Sequence, residues 1–436
     1  MRIAYDFDWL HEEAVGDNGV SSDMLAKLER THPEPVTELV ENPHGWPIGW
    51  LNLQARTEEI PAVRDALTRI EGIDALITIG MGGSILGARA LAATFGRQTS
   101  TNSFAANGKE LILLDNLDEA TLAETLQRVE GRSVALNPVS KSGNTLETVA
   151  NFLTLAQHPA LADAQVVVTT ENEDGAVAAY ARESGALALP VPQDVGGRFS
   201  VMSPVGLFPL AFLGYPIERL LAGASGALTR FAQNDYRTNP ALSLAARLYL
   251  LTAEKGFGQL VLWSYTDALR EWGRWWTQLF AESLGKRKTV NGREVSVGLT
   301  PLAALGPADQ HSLLQLVLDG PADKVSGFIR LVEPHAEAPA FNAPPKGMER
   351  FGYLHHKRLR EIAAAELAGT RESLRQQDRP SYILELPALG PEEMGELLLF
   401  FEMVVALAGI FYGVNPFDQP AVEESKRLAR ELLKAD

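Results

Sequence analysis

Between residues 60 and 411, compact β-rich runs alternate with blocks of helical spacing, and this alternation confines the chain to an α/β fold. A first set of strands reads ALITI (75–79), LILL (111–114), SVALN (133–137) and QVVVT (165–169). Helices are expected over 85–95, 118–129, 176–183 and 205–213. A second set follows, with strands at 259–263, 296–299, 325–332 and 382–386, and helices over 267–284, 310–318, 355–374 and 394–411. Strands separated by helices of about 10–15 residues lie parallel, with the helices packed on both faces. The expected organisation is a helical segment over 1–45, α/β blocks over 46–235 and 236–415, and a C-terminal helix within 416–436.

In parallel sheets, ligands sit beyond the carboxyl ends of the strands. Two unusual turns fall there. Ser140-Lys141-Ser142-Gly143-Asn144-Thr145 follows the run 133–137 and leads into Leu146, Val149, Phe152 and Leu153 at helical spacing. Unpaired N–H groups at a helix N-terminus attract anions, and the hydroxyls add donors. A plain N-cap cluster has the same composition. Gly80-Met81-Gly82-Gly83-Ser84 follows the run 75–79. It is compatible with close approach to phosphate, with a tight turn, or with a dinucleotide site using Asp115 for the ribose.

The net charge of −16, from 39 basic and 55 acidic residues, argues against nucleic acid or an anionic membrane as the main partner. The absence of cysteine excludes disulfides, thiolate metal sites and a cysteine nucleophile. Residues 1–20 carry Asp6, Asp8, Glu12 and Glu13 and no long apolar run, so neither a signal peptide nor an anchor is expected. The apolar stretch 394–411 contains Glu396 and Glu402 and reads as core. A soluble, cytoplasmic protein is expected. Neither G-x-S-x-G nor H-E-x-x-H occurs.

The second half carries isolated chemical groups. Gln278 and Glu282 share a helix face, just before Gly285 and Lys286 at the helix end. His311 lies in the first turn of a helix that Asp309 could cap, and Lys426 lies among Glu423, Glu424 and Arg427. In the first half, Arg198 follows Gly196 and Gly197 in a loop. Each of these, alone, is also an ordinary surface or structural residue.

Together they resemble the glucose-6-phosphate isomerase family, in its shorter bacterial form. The resemblance rests on GMGGSILG (80–87), SKSGNTLET (140–148), GGRFSVMSPVGL (196–207), QLFAESLGK (278–286) with DQHSLLQL (309–316), and FDQPAVEESK (417–426). Glu424-Ser425-Lys426 stands where the family commonly has Leu-Gly-Lys, with the lysine still in register.

The resemblance implies two sugar-isomerase-type domains, each a mainly parallel sheet flanked by helices. It implies reversible isomerisation of D-glucose 6-phosphate and D-fructose 6-phosphate, with no metal or cofactor. Gly83, Ser84, Ser140, Lys141, Ser142 and Thr145 would hold the sugar phosphate, the lysine largely through its backbone. Gly197 and Arg198 would approach C1 and C2, the cation stabilising an enediolate. Gln278 and Gln419 would contact substrate, Glu282 would be the base, and His311 and Lys426 would assist ring opening. A homodimer is implied, with the histidine of one subunit completing the site of the other. A bifunctional phosphoglucose/phosphomannose isomerase is the nearest alternative, and a non-catalytic sugar-phosphate sensor a more distant one.

The chemistry needs these residue types. A carboxylate moves the proton between C2 and C1 through a cis-enediol. A fixed cation meets the developing oxyanion. Remote phosphate binding holds the sugar in place.

Overall fold

The computed structural model describes residues 2–55, 59–333 and 336–434. Its first strand, β1 (Ala4–Asp6), lies in the segment expected to be a helical lead-in. The helices Ser22–Thr31 and Pro35–Glu41 do form there. Three residues of partial burial are too short a signal to read from sequence; what makes them a strand is the edge they pair with.

The first sheet comprises β2 (Ala75–Ile79), β3 (Arg97–Ser100), β4 (Ser103–Ala106), β5 (Lys109–Leu114), β6 (Val134–Pro138), β7 (Gln165–Thr170) and β8 (Leu187–Pro190). Its order is β3-β4-β5-β2-β6-β7-β8. β5, β2, β6, β7 and β8 run parallel, and β3 and β4 add an antiparallel edge. β2 and β6 are buried along their whole length, which explains their mainly apolar composition, interrupted only by the buried Thr78 and Asn137.

The second half holds β9 (Gln259–Ser264), β10 (Lys286–Lys288), β11 (Glu294–Val297), β12 (Thr300–Leu305), β13 (Lys324–Leu331) and β14 (Ser381–Leu386). The second sheet has the order β1-β14-β13-β9-β12, parallel except for β1. The strand expected at 296–299 is misplaced: β11 belongs to a small hairpin with β10, and the sheet strand is β12. β12 is an edge strand, which is why it tolerates Pro301 and its two alanines.

Three expected helices shift, the one at 267–284 being a 3-10 turn, Asp267–Leu269, followed by Trp272–Leu284. The helix at 310–318 is a 3-10 turn, Ala308–His311, followed by Leu314–Asp319. Asp309 does not cap it; its carboxylate accepts from the Leu305 N–H at 2.7 Å and the Ser312 hydroxyl at 2.9 Å, tying the turn to the end of β12. The helix at 355–374 runs Leu359–Gln376.

The apolar helix Pro391–Tyr412 is long and apolar enough to span a bilayer, yet it is wholly buried within the fold. It packs on Ile217–Phe231, Pro240–Lys255 and Trp272–Leu284. Glu396 accepts from the Tyr5 hydroxyl at 3.0 Å and the Arg2 N–H at 3.2 Å. Glu402 is fully buried without a partner for either oxygen among the described residues, and burial raises its pKa well above the ordinary carboxylate value.

Candidate active site

Three turns at the carboxyl ends of β2, β6 and β8 converge with the helix Trp272–Leu284 and the loop 415–419. The turn after β2 is a 3-10 segment, Gly82–Ser84. A Cβ at Gly82 would stand 2.6 Å from Gln278 Nε2, and one at Gly83 would overlap the Gly197 carbonyl. These glycines therefore let the turn approach the Gln278 side chain and the Gly197 backbone closely, as a close-approach reading requires. The dinucleotide reading loses its acidic partner, because Asp115 pairs with the buried Arg89 at 3.1 Å.

In the turn after β6, Gly143 has φ +70° and packs against Gly175. Ser140 and Thr145 hydroxyls lie 2.9 Å apart, and the Asn144 N–H donates to the Ser142 hydroxyl at 3.2 Å. Thr145 starts the helix Leu146–Ala156 without a side-chain cap, so donors of its first turn stay open to an anion. Lys141 turns its ammonium away, donating to Val195 O at 2.7 Å and pairing with Glu171 at 2.9 Å. Burial lowers its pKa, with Asp194 opposing. The lysine thus ties the anion turn to the loop that carries Arg198.

Arg198 is the hub. It is buried, and its guanidinium is fully engaged. Nη1 donates to Glu282 Oε2 and to Gln419 Oε1, both at 2.8 Å. Nη2 donates to Pro416 O at 2.9 Å and Asp418 O at 3.2 Å, and Nε to the Ser283 hydroxyl at 3.2 Å. Burial pushes its pKa down from the usual guanidinium range, and Glu282 is the foremost group opposing that. Phe199, beside it, packs on Trp50 and Phe417 with ring centroids 5.0 and 5.1 Å apart, locking the two loops that meet at the guanidinium.

Gln278 Nε2 donates to Glu282 Oε1 at 3.3 Å, while Gln278 Oε1 is buried without a partner among the described residues. The Glu282 side chain is about a third exposed, with Arg198 on one oxygen and Gln278 on the other. A Cβ at Gly197, next to Arg198 in the chain, would meet nothing within 4 Å, so there is open space at that position.

The structure does not bring every expected residue here. His311 is exposed and makes no side-chain hydrogen bond or ion pair among the described residues. Lys426 lies on the exposed helix Glu423–Lys434, where it pairs with Glu423 at 2.7 Å. Conversely, the sequence presents Lys286 only as a cation beyond a helix end, yet it belongs to the site. Its Nζ donates to Glu282 O at 2.6 Å and Asp418 O at 2.7 Å. The signal available is a cation four residues after Glu282, where a long side chain reaches back to the helix carbonyls.

The fold is that of an α/β sugar-isomerase-type enzyme, with a buried guanidinium against a carboxylate beside a hydroxyl-rich turn at a helix N-terminus. Known relatives make this specific. The family profile described as phosphoglucose isomerase matches residues 57–436, and the chain belongs to that family. It is 36% identical to a glucose-6-phosphate isomerase of Rubrobacter xylanophilus over 94% of both chains. It is 34% identical to that of Carboxydothermus hydrogenoformans, over 99% of this chain and 95% of the other. Among solved structures, a hypothetical protein of Thermus thermophilus superposes with TM-score 0.83 at 31% identity, over 99% of both chains. A glucose-6-phosphate isomerase from Chlamydia trachomatis shares the fold, with TM-score 0.76 at 23% identity over 88% of this chain and 74% of that one.

Proposed function

We propose that this chain interconverts D-glucose 6-phosphate and D-fructose 6-phosphate, as in glycolysis and gluconeogenesis, and that it works in the cytoplasm. The observation that carries the reading is the Arg198–Glu282 pair at 2.8 Å, bracketed by Gln278 and Gln419, with open space at Gly197. The turn 140–145 and Ser84 take the phosphate, which fixes the sugar with remote binding energy. Glu282 removes the C2 proton of the open-chain aldose and returns it to C1. Arg198 meets the negative charge that builds on the enediolate oxygens.

Ring opening needs an acid at O5 and a base at O1. We assign these to His311 and Lys426, acting in a homodimer. His311 comes from the second copy, and the helix bearing Lys426 settles on the assembled site. Two features support this. Within one chain Arg198 and Glu282 already pair, while His311 stands exposed and joins neither of them. The helix Glu423–Lys434 presents Leu428, Leu432 and Leu433 at 46%, 72% and 65% exposure, a face that a second copy would cover.

A coupled assay with both sugar phosphates tests the reaction: Glu282→Gln should abolish exchange of the C2 proton with solvent while leaving accelerated ring opening. Normal isomerisation by that variant would place the base elsewhere. Co-expression of Glu282→Gln with His311→Ala tests the shared site. Random pairing makes about half the dimers mixed, each with one intact site, so about a quarter of wild-type activity should return. Tagged mixed dimers with no activity would reject it.

A further inference from the structure

Lys286 is a buried cation that the reaction as proposed does not use. It stands one residue beyond the helix Trp272–Leu284 and its cap, at the start of β10, with its side chain 6% exposed. Its ammonium bridges two pieces of chain that each carry part of the site. On one side it donates to Glu282 O at 2.6 Å, the carbonyl of the proposed base itself. On the other it donates to Asp418 O at 2.7 Å and pairs with Asp418 Oδ1 at 3.5 Å. The loop it grips also supplies Pro416 O, Asp418 O and Gln419 Oε1 to Arg198. Asp418 O is therefore shared by two cations, Lys286 and Arg198.

We infer that Lys286 is a positioning residue, whose ammonium clamps the loop 415–419 to the end of the base's helix and so fixes Arg198 and Gln419 against Glu282. Three physical points support the inference. A cation at a helix C-terminus offsets the carbonyl charge that would otherwise repel the Glu282 carboxylate. A lysine this deep in the fold costs desolvation, so two short bonds to main-chain oxygens are what hold it there. The clamp also depends on a proton that is weakly held. Burial, followed by the Arg198 guanidinium, pushes the Lys286 pKa down to about 8, while Asp418 and Glu282 oppose the shift. The charged groups that face it are therefore Arg198, Asp418 and Glu282. The clamp is intact below about pH 8 and is lost as pH rises through that value.

The inference rests on the isomerase reading, and one of its two readouts does not need activity. Hydrogen exchange of the peptide spanning 413–420 is measured in wild type and in Lys286→Met, and kcat, KM and the pH profile of kcat in wild type, Lys286→Met and Lys286→Arg. In Lys286→Met, exchange should quicken. Its kcat at pH 7 should fall roughly tenfold or more, while KM stays within about threefold, because the loss falls on alignment in the transition state. Lys286→Arg keeps a charge at all working pH, so it should restore part of kcat and move the alkaline limb upward from near 8. Unchanged exchange in Lys286→Met, a kcat within twofold of wild type, or an alkaline limb left in place by Lys286→Arg would each overturn the inference. If Lys286→Met does not fold, the limb of Lys286→Arg decides. A wild type inactive on both sugar phosphates would refute the isomerase reading, and the exchange measurement would still decide whether the clamp exists.

Discussion

Replacing Arg198 by Met keeps the length and apolar stem of the side chain and removes all five of its hydrogen bonds. Their loss is unequal. The Ser283 hydroxyl can rotate, and Glu282 and Gln419 can turn to water, since both are partly exposed. Two main-chain acceptors, Pro416 O and Asp418 O, cannot move without opening the loop, and each unsatisfied buried group costs about 1–3 kcal/mol. Asp418 O retains Lys286, so the expected loss of stability lies at the lower end of the roughly 3–5 kcal/mol typical of a broken buried pair. Catalysis loses a fixed cation at the enediolate, which is worth about 3–4 kcal/mol, or roughly 10²–10³ in kcat. The measurements are a urea midpoint and kcat with fructose 6-phosphate on the folded variant. Arg198→Lys separates charge from geometry: it keeps the cation but cannot span five acceptors, so it should fall between wild type and Arg198→Met in both readouts. A folded Arg198→Met with kcat within tenfold of wild type would refute the electrostatic role.

Three further outcomes are expected. Changing Ser142 and Thr145 together to Ala should weaken a competitive sugar phosphate by roughly 1.5–3 kcal/mol per lost donor. An unchanged inhibition constant would remove the anion site from this turn. Gly83→Ala should lower kcat, because its Cβ overlaps the Gly197 carbonyl and pushes the Arg198 loop away. Gly197→Ala, whose Cβ meets no protein atom within 4 Å, should leave Tm alone and raise KM by intruding on substrate; equal Tm losses in both would contradict this geometry. Acid stability should depend on Glu110, whose pKa burial pushes up but hydrogen bonds from Ser103, Arg128, Arg132 and Thr99 bring down to about 2. A depressed carboxylate contributes stability that is full above its unfolded value and lost as pH falls, here between about 4.5 and 2. Solvent screens part of it, so it is worth at most about 3 kcal/mol. The stability gap between wild type and Glu110→Gln should therefore narrow from about pH 6 to about pH 3, and a constant gap would show the carboxylate is not the source.

Legibility from sequence follows burial. β2 is readable to the residue because both its faces are covered, so its side chains are apolar or β-branched throughout. β3, at the edge, and β4, inside it, are only four residues each and escape that reading, although Asn107-Gly108 announces the hairpin that leads into β5; both residues have positive φ. β12 escapes it too, because its place at the edge relaxes its composition. The site divides in the same way. Arg198, Glu282, Gln278 and Gln419 are legible through their motifs and stand in one hydrogen-bonded set. Lys286 is visible in the same motif but without a role, since its partners are main-chain carbonyls that no side-chain pattern records. The proposed roles of His311 and Lys426 depend on a second copy, which is not encoded in contacts within one chain.

The pairing of β1 with β14 sets an order on how this stretch of chain can fold as it is synthesised. The Tyr5 hydroxyl touches Glu396, 391 positions later, and Ala4 lies opposite Glu385. At about 5–20 residues per second, on the order of 20–80 s of synthesis separates these partners. The first sheet is complete at Pro190 and has everything it needs to close while the second is still being made. The strand Ala4–Asp6 must wait as an unpaired edge until β14, the last strand among the described residues, arrives. Its brevity and its acidic flank, Asp6 and Asp8, keep that waiting edge from recruiting a neighbouring nascent chain.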